Sequence, residues 1–532
     1  MKHLWLIVAL AMLHSPGAIA EDTPASVPVR SVELRGRVFV LNGKPFFPLF
    51  SWLQDPRNFP AVRECGMNAT AGYHRGSGGT KSIREYADQI AEAGLYGVLQ
   101  YDDSLKGHPI LLGYIHDDEP DLDHKESDAK VEPGEGLRLN NSTPLWKVLD
   151  GVTHSWSVLD PMENASLTVR LNKPVTATHL AIHLTVSPGL SLPTQVAFQA
   201  DGKEILRTAM EPKRGQQKFA LDKPATFQAL TLKVLAVKAD KNVWGSIGEI
   251  EAFDAAGTNV LLSVPRTVPR ATPEQTMEHY RRVKQADPSR PLFMTLTASF
   301  HPHFKKWPED RRLEMYKGYV AAADVVGYDV YPIYGWNKPE WLHLQHESTK
   351  MLAELAGPDR PVYSWIETSK GGQWTGDLAR QKDVTPEHIR CEVWMSICRG
   401  ATAIGYFTHI WKPSYSQFGV PAPNRKALRE INDQITRLAP AILGTPAKQK
   451  VSIESTDKVK MDVLARQAAD GLYLFCVNYD ERAKATRATI RVEGLRAGAK
   501  VEVVDEKRTI HAAPGEFVDD FAPLAVHVYR VR

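Results

Sequence analysis

The chain has 532 residues, with 65 lysines and arginines set against 62 aspartates and glutamates for a net charge of +3. That near-balance, without a basic run or stripe, argues against a nucleic-acid partner. Its 43% hydrophobic and 24% charged residues are those of a globular protein too long for one ordinary domain.

In chain order, Met1–Ala20 reads as an export signal. Leu4 to Leu13 form an apolar core too short to span a bilayer, and Ala18-Ile19-Ala20 supply the small residues of a cleavage site. No cysteine stands near that site and no other stretch approaches ~18 apolar residues. The expectation is an exported chain, periplasmic or secreted, with no membrane anchor. The four cysteines, Cys65, Cys391, Cys398 and Cys476, show no metal spacing, and Cys391 and Cys398, seven apart on one expected helix face, read as buried free thiols.

A hairpin is expected around Asn42-Gly43, leading into a buried strand from Phe46 to Ser51. Met67 to Tyr73 is the second strand candidate. Ser82 then caps a helix that ends at Gly94, and Leu95 to Tyr101 is the third strand. About nine residues later Ile110 opens a fourth, too soon for a regular crossover of ~10–12 residues, so the third helix is expected to be missing. That fourth strand runs through Gly113-Tyr-Ile-His-Asp-Asp-Glu-Pro-Asp121 and stops at a cluster of acids. A buried strand that delivers carboxylates at its C-terminal end is how a barrel presents chemistry.

Residues 122–140 read as a linker, and Pro144 to Phe253 as short alternating strands of a β-sandwich. The α/β rhythm resumes at Thr272-Pro273, an N-cap followed by proline at the first helical position. Strands are expected at Pro291–Leu296, Val325–Tyr331, Pro361–Glu367 and Ala403–Thr408, each followed by a helical pattern. The last helix carries Leu428, Ile431, Ile435, Leu438 and Ile442 on one face. Four strands before the insert and four after it predict a (β/α)8 barrel over 31–121 and 266–442, interrupted after strand four by 122–265. Residues 445–532 alternate without a helix and predict a second, C-terminal antiparallel β-sandwich.

Two resemblances refine this. Val148-Leu-Asp-Gly-Val-Thr-His-Ser-Trp156 and Ile247-Gly-Glu-Ile-Glu-Ala-Phe253 resemble the opening and closing strands of discoidin (coagulation-factor C type) jelly rolls. That resemblance implies a sugar-binding or purely structural module, with a structural calcium ion as its one implied metal. The barrel resembles the clan A retaining glycoside hydrolases through Gly113-Tyr-Ile-His-Asp-Asp-Glu-Pro120 and Trp365-Ile-Glu367, supported by Asp329-Val-Tyr-Pro332 and Gly405-Tyr-Phe-Thr-His-Ile-Trp411. It implies an oligo- or polysaccharide substrate and no cofactor for catalysis, with Glu119 as acid/base and Glu367 as nucleophile.

Such a pair is what glycoside cleavage needs, a proton donor at the leaving oxygen and a carboxylate at the anomeric carbon. Asp118 departs from the family, which usually has asparagine there; an ionised aspartate can only accept hydrogen bonds. Substrate contacts are expected from Tyr331, from Trp411 as a stacking platform, and from His74, Tyr101, His409 and Trp52 at other strand ends. Two readings compete with a hydrolase of this kind. One is a non-catalytic carbohydrate-binding barrel with a lectin-like insert. The other is a metal-dependent hydrolase built on His301 and His303, for which the sequence offers no third ligand.

Overall fold

The computed structural model describes residues 26–532 except Arg75, Asp128, Asn141 and residues 186–188, so the expected export signal lies outside the described residues. The chain divides into two compact units, one formed by the segments up to Leu122 and from Ala271 to Arg532, the other by Asp123–Arg270.

The first unit holds a closed barrel of eight parallel strands. They are β1 (Leu49–Trp52), β2 (Ala69–Ala71), β3 (Tyr96–Leu99), β4 (Leu111–Ile115), β5 (Leu292–Thr297), β6 (Val325–Asp329), β7 (Val362–Glu367) and β8 (Ala401–Phe407). Helices α1 (Phe59–Glu64) and α2 (Ile83–Glu92) follow β1 and β2. Between β3 and β4 only a single 3-10 turn, Asp103–Leu105, is found, so the short spacing in the sequence corresponds to a lost helix. Helices α3 (Pro273–Ala286), α4 (Glu309–Ala321), α5 (His343–Ala356), α6 (Pro386–Cys398) and α7 (Ala422–Ile442) complete the ring. Thr272 and Thr385 start α3 and α6 through reciprocal capping boxes, with proline behind each cap.

The first strand is shorter and later than expected. Lys44–Phe46 pairs instead with Val38–Leu41, which pairs on its other side with Val32–Arg35, in a three-stranded sheet. The turn between its last two strands is Asn42-Gly43, both at positive φ (50° and 81°), the conformation a tight hairpin demands.

Large rings fill the barrel interior. Phe50, Phe293, Tyr363 and Trp365 are fully buried, and Phe50 meets the rings of Tyr363 and Trp365 edge-on at 5.3 and 5.1 Å. Room for them comes from inward-facing glycines. A Cβ on Gly327 would lie 2.2 Å from the Tyr363 ring, and one on Gly405 would lie 2.3 Å from the Trp365 ring. Aromatic bulk on one strand is thus matched by glycine on its neighbour, keeping interior packing dense.

The C-terminal segment forms a six-stranded and a three-stranded antiparallel sheet, centred on Gly471–Asn478 and Thr486–Val492. Helix α6 is buried against it: Trp394 stacks on Phe475 at 5.5 Å, and the Cys391 and Cys398 thiols approach the carbonyls of Asn478 and Phe475. All four cysteines are buried and free.

The second unit is all-β, a seven-stranded antiparallel sheet system with its own apolar core around Leu180, Phe198, Leu232 and Ile250. Asp123–Glu126 pairs antiparallel with Arg266–Pro269 where the chain enters and leaves. The strands expected to be short are partly long ones. Ser166–Leu184 and Gly215–Lys238 run through Asn172-Lys-Pro174 and Asp222-Lys-Pro224, which read as turns by composition. The register slips once at each step, between Arg170 and Val175 and between Ala177 and His179, so each proline bends its strand without ending it.

Candidate active site

The loop after β4 carries the acids. His116 points outward: its Nε2–H donates to the Ala322 carbonyl (2.9 Å), which leaves Nδ1 to accept from Nδ1–H of His279 at 2.8 Å. Burial lowers its pKa to about 4, so the ring is neutral. Asp121 anchors the far end of the loop. Its fully buried carboxyl accepts from the Thr297 backbone (2.9 Å), the Thr297 hydroxyl (2.6 Å) and the Tyr316 hydroxyl (2.5 Å). Between these anchors Glu119 adopts φ = 49°, a left-handed conformation that costs a non-glycine residue about 1–2 kcal/mol. Strain held by anchors on both sides is a frequent mark of a functional residue.

The half-buried Glu119 carboxyl is in hydrogen-bond contact with the carboxyl of Asp329, the half-buried last residue of β6. Burial first, and then the charge and contact of Glu119, push Asp329 well above the usual carboxylate range; Asp118 and Asp121 add to this. The Tyr331 phenol is raised by burial and then by Asp329, Asp118 and Glu119 in that order. Asp329, Asp118, Glu119 and Tyr331 therefore form one electrostatic cluster at the C-terminal mouth of the barrel, over the Tyr363 and Trp365 rings.

Glu367 ends β7 in a different setting. It is fully buried, Oε1 and Oε2 accept from the Ile333 backbone at 3.0 and 3.1 Å, and Oε2 accepts from the Tyr334 backbone at 2.6 Å. Its other partner is the carboxyl of Glu392 on α6, also fully buried, which the Glu367 backbone also approaches. Burial raises Glu367 to about 7 against the pull of the two amides, and raises Glu392 further. Each of the two sequence-assigned glutamates thus has its own carboxyl partner, Asp329 for Glu119 and Glu392 for Glu367.

Aromatic groups wall the mouth. Tyr331 lies 5.0 Å from Phe407, and Trp411 stacks nearly parallel on the same ring (6.1 Å, 10°). Tyr415, 55% exposed, sits 5.4 Å from Trp411. His409 is buried and neutral, its Nε2–H shared between the carbonyls of Trp52 and Leu53, which ties the β8 loop to the β1 loop. Trp52 packs edge-on against Trp365 at 5.4 Å inside the barrel. His74 is exposed and lines a polar cavity of about 420 Å³ with Asp55, Arg57 and Tyr415. Tyr101 faces the helical layer instead, its ring 5.1 Å from Tyr114 and its hydroxyl donating to Asp103 at 2.5 Å. His301 and His303 are drawn into other contacts, Glu347 at 3.4 Å and the Trp341 ring at 4.5 Å. Among the described residues no group of three or more His, Cys, Asp or Glu side chains is placed to hold a metal.

The second unit contains a third carboxyl contact. Asp150 and Glu249 are buried side by side, and the Val152 backbone donates to both (2.8 and 3.0 Å). Ser155 donates to Asp150, whereas Oε2 of Glu249 has no hydrogen-bond partner. Burial, then the contact with Asp150, pushes Glu249 up to about 8. Asp150 and Glu249 supply carboxylate oxygens of the kind calcium takes, a minority of its about six to eight ligands.

No family model and no curated protein matches the chain. Among solved structures it is similar to an alpha-amylase from Geobacillus thermoleovorans complexed with acarbose, at 12% identity over 49% of this chain and 58% of that one, with a TM-score of 0.35. It is also similar to the family 32 carbohydrate-binding module of Clostridium perfringens NanJ in complex with galactose (14% identity, 24% of this chain, 97% of that one, TM-score 0.21). A third similarity is to the family 32 module of Streptococcus pneumoniae EndoD (18% identity, 24% and 99% covered, TM-score 0.20).

Proposed function

We propose that the protein is an exported glycoside hydrolase that cleaves O-glycosidic bonds of an oligo- or polysaccharide at the mouth of its barrel, with retention of configuration. One observation carries this reading: the half-buried carboxyl of Glu119 meets the carboxyl of Asp329 in one electrostatic cluster with Tyr331, whose ring continues into the Phe407–Trp411 stack. Two carboxyls in contact hold one proton between them, the state that an acid-plus-carboxylate pair needs before substrate arrives. The flat rings suit the C–H face of a pyranose. Glu119 is the acid/base, and the family resemblance implies Glu367 as the attacking group.

The rest of the reading follows the sequence: an export signal at 1–20, the barrel over 31–121 and 266–442, a discoidin-like module at 122–265, and a C-terminal sandwich at 445–532. No described helix is long and apolar enough to cross a membrane. Asp150 and Glu249 are the residues that would hold a structural calcium ion, which would neutralise their paired charge.

The test is Glu119→Gln on a panel of aryl glycosides and polysaccharides. Removing the acid is expected to cost about 10²–10⁴-fold on natural leaving groups, and far less on nitrophenolates, which depart without a proton. Full activity on natural substrates would defeat the assignment. Glycan binding by wild type without turnover of any bound ligand would favour the non-catalytic carbohydrate-binding barrel.

A further inference from the structure

We infer that Asp329, and not Glu367, is the carboxylate that attacks the anomeric carbon opposite Glu119, and that Glu367 and Glu392 form a sealed brace behind the site. The inference rests on the glycosidase reading of Glu119 and changes its partner.

The case begins with access. A nucleophile must reach carbon, and Glu367 has no exposed surface. Its oxygens are occupied by two backbone amides of the loop after β6 and by the Glu392 carboxyl. Freeing it would leave the Ile333 and Tyr334 N–H groups buried without an acceptor, a cost of about 1–3 kcal/mol each. Asp329 carries no such duty. It is half-buried, it ends β6 in register with Thr297 on β5 and Trp365 on β7, and it touches Glu119.

The tyrosine points the same way. Tyr331 lies two residues beyond Asp329, and its hydroxyl feels Asp329 more strongly than any other carboxylate. A phenol beside the attacking carboxylate can orient it.

The chemistry balances without a co-reactant other than water. The proton that burial and Glu119 place on Asp329 in the free protein passes to Glu119 as substrate parts the two carboxyls; one Asp329 oxygen then bonds to the anomeric carbon as the bond to the leaving oxygen breaks, and the Glu119 proton passes to that oxygen. Water then loses a proton to Glu119 and attacks the same carbon, breaking the ester and restoring the Asp329 carboxylate.

The decisive experiment traps the ester on the wild-type, full-length protein. A 2-deoxy-2-fluoro glycosyl donor with a dinitrophenolate leaving group is matched to whichever aryl glycoside the enzyme hydrolyses, and the labelled peptide is sequenced. A label on Asp329 is the expected result, and a label on Glu367 overturns the inference while leaving the glycosidase reading intact. A wild type that hydrolyses no glycoside sinks both. In parallel, Asp329→Gly is expected to lose at least 10³-fold in turnover, and added azide to restore it with a glycosyl azide of inverted configuration. Glu367→Gln is expected to melt earlier but to keep turnover within about tenfold of wild type. Loss of turnover in a folded Glu367→Gln, with azide rescue at that position instead, would also overturn the inference.

Discussion

Glu119 and Asp329 meet in a half-open mouth, whereas Glu367 and Glu392 meet in a sealed wall between β7 and α6. Both are pairs of carboxyls in a barrel, and both must hold a proton to coexist. The difference lies in what else is available. At the mouth, none of the described residues is seen to donate to the pair, and both residues keep some exposed surface. In the wall, two backbone amides fix Glu367 and leave Glu392 as the group that must donate. The same chemical motif is therefore reactive where it opens to a ligand and structural where the backbone has already claimed it.

The largest stability effect is expected from breaking the floor under the mouth. Gly405→Ala places a methyl 2.3 Å from the Trp365 ring, with both residues buried and Trp52 and Phe50 behind that ring. Overpacking of this kind costs about 1–3 kcal/mol, at the upper end here because no neighbour has space to move. Chemical denaturation should show the loss, together with reduced turnover, because the ring that shifts supports Asp329. Unchanged stability would mean that the aromatic–glycine matching does not hold the barrel closed.

Next in size is the sealed pair. Folded Glu367 titrates at about 7 against an ordinary 4.5, and Glu392 is raised further. Between those values the native state holds a proton that the unfolded chain has released. Stability from this pair is thus full below about pH 4.5 and is lost as pH rises through 7. Glu392→Gln keeps a donor towards Glu367 and removes the acid, so the variant should melt close to wild type at pH 5 and above it at pH 8. Glu392→Leu removes the donor and should be less stable at both. Parallel melting curves for wild type and Glu392→Gln across this range would show that the two carboxyls do not share a proton.

This contrast explains what the sequence could and could not disclose. Strands that are buried on both faces read as apolar runs, so β4 and β7 were legible with the acids at their ends. The missing helix after β3 was legible from spacing alone. Asp329 carries the same signature, since Val325-Val-Gly-Tyr-Asp329 is also an apolar run ending in a carboxylate, yet by sequence it enters only within the supporting motif Asp329-Val-Tyr-Pro332, with no role assigned. What no local pattern encodes is that the chain after β6 folds so that the Ile333 and Tyr334 amides cap Glu367. That is a contact across 33 and 34 residues between two loops, and it decides which glutamate is free. In the second unit, Lys-Pro steps carry turn composition, yet cross-strand pairing of Val175 with Phe227 and Thr176 with Thr226 carries both long strands through them.

The third carboxyl contact sharpens the comparison with the smallest and most reversible effect. Asp150 and Glu249 are also in contact, but Glu249 keeps one buried oxygen with no hydrogen-bond partner, while the Gly151 and Val152 backbones and the Ser155 hydroxyl serve the rest of the pair. Without a cation the pair must hold a proton, consistent with the rise of Glu249 to about 8. Calcium and that proton compete, so calcium should bind more tightly as pH rises towards 8 and more weakly below it. In a melting experiment on the full-length protein, millimolar calcium against chelator is expected to raise the transition of the 123–270 unit. At 100-fold excess over the dissociation constant the gain is about 2.7 kcal/mol. Glu249→Gln should abolish the shift while leaving the barrel's transition where it was. A wild type that melts identically in calcium and in chelator would leave the proton as the only partner this pair has, and would place it with the sealed wall of the barrel and not with a metal site.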